Sequence, residues 1–87
     1  MVKEQIGELL NLLGFKQEGN KYTKKYDTTL HPLVVDVERG RIYYENSGIT
    51  VTRETTSNLS EPENLVVLEC VDRLLSMGYS ANHIELE

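Results

Sequence analysis

One helix constrains this chain more than anything else in it. Ser60-Glu61-Pro62-Glu63 opens the helix, Gly78-Tyr79 closes it, and between Leu65 and Met77 only Glu69, Asp72, Arg73 and Ser76 are polar. Ser60 and Glu63 have the spacing of a capping box, in which the hydroxyl accepts the amide proton of Glu63 and the carboxylate accepts that of Ser60. Pro62 suits a first turn whose amides have no intrahelical acceptor. A surface helix of a small domain needs one apolar stripe, whereas this one is apolar around most of its circumference. It therefore predicts cover on more than one side, with Leu68, Val71, Leu74, Leu75 and Met77 as the face that takes a partner or further core. Ile84-Glu85-Leu86-Glu87 reads as the onset of a strand. We expect part of the helix's cover to come from outside these 87 residues, which then form the leading segment of a larger protein.

The length allows one domain with a single modest core. Apolar residues at 39% and charged residues at 26% are ordinary for a folded soluble domain and argue against disorder. No apolar run approaches the roughly 18 residues of a membrane span, and the N-terminus lacks the layout of a signal peptide. A cytoplasmic location follows as the expectation. Cys70 is the only cysteine, which excludes a disulfide framework and a cysteine zinc site; among Leu68, Val71 and Leu74 it reads as a small buried hydrophobe. The net charge of −5 argues against nucleic-acid binding by the domain as a whole. Residues 1–53 hold eight Lys/Arg against seven Asp/Glu, and residues 54–87 hold one against seven, so the acidity belongs to the C-terminal helix and strand.

Val2, Ile6, Leu9, Leu10 and Leu13 recur at helical spacing and Gly14 supplies a stop, which predicts an amphipathic first helix with Phe15 packed under its end. Gly19-Asn20 marks a turn, and Lys21–Tyr26 reads as a strand. Leu33, Val35 and Val37 alternate with Val34, Asp36 and Glu38 as a half-buried strand. Arg39-Gly40 reads as a tight hairpin turn into a return strand, Arg41–Glu45. After Asn46-Ser47-Gly48, Ile49–Thr52 forms a short fourth strand. The polar run between Arg53 and Leu59 connects sheet to helix. Consecutive strands with short turns favour an antiparallel meander. The expected fold is α+β: an N-terminal helix, a four-stranded antiparallel meander, a C-terminal helix packed on the sheet, and the onset of a further strand.

No side chains converge by spacing on nucleophilic or metal chemistry. Neither His31 nor His83 has a His or Cys at i+3 or i+4, and both read as surface or loop-packing residues. Lys21, Lys24 and Lys25 interleave with Tyr22 and Tyr26, and Arg39 and Arg41 flank a hairpin next to Tyr43 and Tyr44. Cations beside aromatic faces are the parts of a single-strand nucleic-acid platform. The plainer reading, with half-buried tyrosines and lysines that protect an edge strand, is preferred. Glu69, Asp72 and Arg73 read as a solvent stripe with an i to i+4 pair between Glu69 and Arg73.

From Asn58 to Leu75, with Gly78-Tyr79 and Ile84-Glu85-Leu86-Glu87 following, the chain resembles the opening of the N-terminal nuclease domain of type I restriction enzyme R subunits and related restriction-modification polypeptides. In that family a helix with an early Glu ends in a Leu-Leu, Gly-Tyr segment, and an acidic strand leads on to the catalytic core. The resemblance covers residues 60–87 best; the preceding helix and meander are similar to an extra N-terminal module of some members. It implies a PD-(D/E)xK nuclease further along the parent, with Mg²⁺ and ATP as the parent's cofactors and none in this segment. Glu63 alone matches a family position, as the early helix glutamate that can reach toward the metal. The implied function is that of a non-catalytic N-terminal segment, whose partners are the rest of its own polypeptide, restriction-modification subunits and, through the parent, DNA. The parent is then an Mg²⁺-dependent restriction endonuclease or an associated methyltransferase. The alternative is a small protein–protein interaction module that binds through its sheet or its apolar helix.

Overall fold

Ile6 and Leu10 recur at helical spacing and bury one side of α1 (Lys3–Leu12), with Leu9 and Leu13 half-buried beside them. The helix stops at Gly14, whose φ of +94° is costly for any residue with a Cβ. Phe15 N–H donates to Leu10 O and Gly14 N–H to Asn11 O, the paired bonds of a Schellman cap, which turn Phe15 into the core. The computed structural model describes residues 3–29, 31–52, 57–59 and 62–86.

Four strands follow: β1 (Lys16–Glu18), β2 (Lys21–Lys24), β3 (Leu33–Asp36) and β4 (Arg41–Tyr43), antiparallel in the order β1-β2-β3-β4. Tyr22, Val35 and Ile42 stand opposite one another and face the core. The sheet ends differ from expectation in two ways. Lys16–Glu18 joins as an edge strand although all three residues are exposed, so it carries no apolar alternation to read. Ile49–Thr52 leaves the meander: only β5 (Thr50–Val51) is a strand, and it pairs in parallel with β6 (Glu85–Leu86) in a separate two-stranded sheet. The hairpin turn is also longer than Arg39-Gly40. It spans Val37–Gly40 and is held by Asp36 Oδ1, which accepts the Arg39 amide proton at 2.9 Å. This bond explains why Asp36 is buried at the end of a strand.

The α+β architecture is thus a helix, a four-stranded antiparallel sheet, a second helix α2 (Pro62–Ser76) and a small parallel pair. Parallel strands cannot be joined by a tight turn, and α2 lies within the crossover from β5 to β6. Asn58 bridges to Arg41 and Leu59 N–H donates to Gly40 O, which covers part of the β4 edge. Residues 53–56 of the connector, together with Ser60 and Glu61 of the expected capping box, lie outside the described residues. No described helix is long and apolar enough to cross a membrane.

Leu65, Leu68, Val71 and Leu75 form the inward face of α2. This corrects the expected partner face: Leu68, Val71 and Leu75 are already in the domain's own core. Asp72 also departs from the expected solvent stripe. It lies beside that inward face, and its Oδ1 accepts from Tyr26 OH at 2.6 Å and from Lys24 Nζ at 2.6 Å. Lys24 Nζ also donates to Leu13 O at 2.5 Å, satisfying a carbonyl that the end of α1 leaves without a helical partner. Burial, reinforced by the hydrogen bond to Asp72 and its charge, pushes the Tyr26 hydroxyl well above the ordinary tyrosine range. Tyr44, buried in the core, is raised by burial alone.

Candidate functional site

With about 3.6 residues per turn, Val66, Val67, Cys70 and Leu74 share a face of α2 that is rotated away from the inward one. Gly78 has φ +96° and caps the helix as Gly14 caps α1: Gly78 N–H donates to Leu75 O and Tyr79 N–H to Leu74 O. The cap carries Tyr79 to the side of Leu74, as such motifs do. The chain then runs through a 3₁₀ turn at Ala81–His83 into β6. Between this face of α2 and the Tyr79–Leu86 segment lies a groove of about 830 Å³. Val71 and Ile84 are its buried lining, and Val67, Leu74 and Leu86 are half-buried. Val66 at 60% and Tyr79 at 54% exposure stand open along it. The remaining polar lining comes from Ser80, His83 and Glu85, and among the described residues no Lys or Arg contributes.

Cys70 is exposed and lines this groove, a correction to the expected burial, because its side of α2 faces away from the sheet. Met77 is 61% exposed and does not line the groove. Of the expected partner face, only Leu74 and the edge of Val71 belong here. Val66, Val67 and Tyr79 were missed. Their apolar character was visible in the sequence, but the side on which the sheet would leave them uncovered was not.

The basic and aromatic residues separate into two groups. Tyr22 and Tyr26 are 8% and 5% exposed, and Lys24 is tied to Asp72 and lies 5.1 Å from the Tyr26 ring centre. No base can stack on those rings as they stand, because strand alternation points Tyr22 and Lys24 to the inner side of the sheet. Thr23 and Lys21 point outward instead, so Lys16, Thr23, Val34 and Tyr43 form one row across the outer face and Glu18, Lys21, Asp36 and Arg41 the next. Lys21, Arg41 and the half-exposed Tyr43 thus share one face of the sheet, with Glu18 and Asp36 in the same row as the two cations. Arg39 is exposed at the end of this row, beside Asp36 and in one depression with Glu18 and Lys21, and Lys25 is exposed outside the strands.

Glu63 is exposed in the first turn of α2; Ser60, its expected capping partner, is outside the described residues. Among the described residues no three His, Cys, Asp or Glu side chains come together to hold a metal ion. The Mg²⁺ that the family resemblance implies therefore finds no ligand set among them. His31 and His83 are exposed and far apart in sequence. Comparison with protein-family models, curated proteins and solved structures found no match to this chain.

Proposed function

We propose that this domain is a non-catalytic docking module of a cytoplasmic type I restriction-modification polypeptide. The groove between α2 and β6 receives another protein segment, which belongs to the rest of that polypeptide or to a partner subunit. One observation carries the reading: an open groove of about 830 Å³ whose lining is mostly aliphatic or aromatic, from Val66, Val67, Val71, Leu74, Tyr79, Ile84 and Leu86. An open concavity lined mostly by apolar side chains with a few polar groups is the ordinary form of a binding site. The resemblance of residues 58–87 to the opening of R-subunit nuclease domains supplies the setting. Mg²⁺ and ATP chemistry, and the handling of DNA, then belong to other domains of the parent.

Two measurements test this. Cys70 reports on the groove, so its reactivity toward a thiol reagent is compared in the 87 residues and in the complete natural polypeptide or complex. Docking predicts strong protection in the latter, and equal rates overturn it. The coding sequence after Glu87 tests the family setting. An Asp and a Glu-x-Lys followed by helicase motifs support it, and a stop codon near Glu87 sinks it. A free-standing protein–protein interaction module is the second reading. It is favoured by the inward face of α2, where Leu68, Val71 and Leu75 are covered without further protein.

A further inference from the structure

We propose that the groove takes its partner as an extended strand, added to the free edge of β6, with alternate apolar side chains and flanking lysines or arginines. The inference rests on the docking reading above and specifies its geometry and chemistry. Thr50 N–H donates to Ile84 O at 3.2 Å and Thr52 N–H to Leu86 O at 2.8 Å, so residues 84 and 86 of β6 bond toward β5. In a parallel ladder the intervening residue bonds to the opposite side. The N–H and C=O of Glu85 are thereby directed away from β5, at an edge with which no described strand pairs. A strand placed there gains main-chain hydrogen bonds, and every second side chain turns toward Val67, Cys70 and Leu74.

Charge selects the occupant. Glu85 lines the groove and is exposed, no Lys or Arg is among its described lining, and Glu63 lies one turn before Val67 on the same side of α2 by helical spacing. A second copy paired through β6 across a two-fold axis would bring Glu85 toward Glu85. The only cation of residues 54–87, Arg73, is not among the groove residues. Basic flanks on a different segment answer those carboxylates, and like charges do not.

The test uses peptides of about six residues that alternate Val and Thr and end in lysines, a glutamate-ended counterpart, and a lysine-ended version N-methylated at alternate amides. Binding is read by fluorescence anisotropy and by slowed modification of Cys70. The lysine-ended peptide is expected to bind and protect Cys70, and N-methylation on the bonding edge to weaken it about tenfold or more. Glu85→Lys, an exposed position, is expected to reverse the preference between lysine and glutamate ends. Equal binding of methylated and unmethylated peptides overturns strand addition, as does equal affinity for either charge or a dimer that protects Cys70 without peptide. Those outcomes leave the docking reading standing, since it falls only if Cys70 is unprotected in the complete polypeptide.

Discussion

The Lys24 ammonium lies 2.6 Å from Asp72 Oδ1, across 48 positions of sequence, and joins β2 to α2 at the point where the end of α1 also arrives. The side chains are 21% and 11% exposed, so the pair is largely but not wholly out of water. Asp72→Ala removes the ammonium's counter-charge, leaving it the Leu13 carbonyl, and leaves the Tyr26 hydroxyl without its acceptor. We expect a loss of about 3 kcal/mol, the low end for breaking a buried pair because solvent still reaches it. Lys24→Met keeps the Tyr26 bond and should cost less. Urea melts of both single variants and the double variant measure this, and the double is expected to cost less than the sum.

Stability should fall at alkaline pH through Tyr26 and Tyr44. Both are raised above the ordinary tyrosine pKa of about 10. Below that value both tyrosines carry their proton folded or unfolded, and neither contributes a slope. Above it the unfolded chain releases protons that the folded chain retains, so unfolding gains by up to about 1.4 kcal/mol per pH unit for each tyrosine. Melts between pH 9 and pH 11 on the parent, Tyr26→Phe and Tyr44→Phe should show a shallower decline in each variant.

At neutral pH those two substitutions should act in opposite directions. The Tyr26 hydroxyl donates to Asp72, whereas the Tyr44 hydroxyl is buried with no partner among the described residues. Tyr44→Phe is expected to raise stability by about 1 kcal/mol by removing an unsatisfied group, and Tyr26→Phe to lower it by a similar amount. Thermal or urea midpoints distinguish the two. A stability loss in both variants would count against an orphaned Tyr44 hydroxyl.

Gly7 sits inside α1, where alanine is ordinarily better by about 1 kcal/mol. A Cβ at that position meets the Tyr22 hydroxyl oxygen at 2.7 Å, too close without movement of the ring. Gly7→Ala alone should therefore be neutral or destabilising. In a Tyr22→Phe background it should stabilise, and the coupling from a double-mutant cycle measures the contact.

The glycine caps and the β3–β4 hairpin were legible because their causes are local. Gly14 and Gly78 follow apolar helical runs, and Leu33 and Val35 alternate as an inward face requires. β1 was not legible, since Lys16, Gln17 and Glu18 are polar and held by pairing with β2 alone. Asp72 was misread because a helical projection equates polarity with exposure, and its partners Lys24 and Tyr26 are distant in sequence. For the groove, the sequence showed an α2 with too much apolar surface. The choice of Leu68, Val71 and Leu75 as inward, leaving Val66 and Cys70 out, depends on the sheet and the β5–β6 pairing, which no local pattern encodes.

That pairing also sets an order of events. Thr50–Glu85 and Val51–Leu86 are the two described rungs of the ladder, and they close a loop of roughly 35 residues at an entropic cost of about 3 kcal/mol or more. The few backbone bonds of so short a ladder, each worth about 1 kcal/mol net, do no more than balance this unless α2 has already formed and shortened the gap. β6 should therefore arrive last in folding and detach first in the native state. In hydrogen exchange the Leu86 amide should lose protection while Val35, in the middle of the large sheet, still holds its proton.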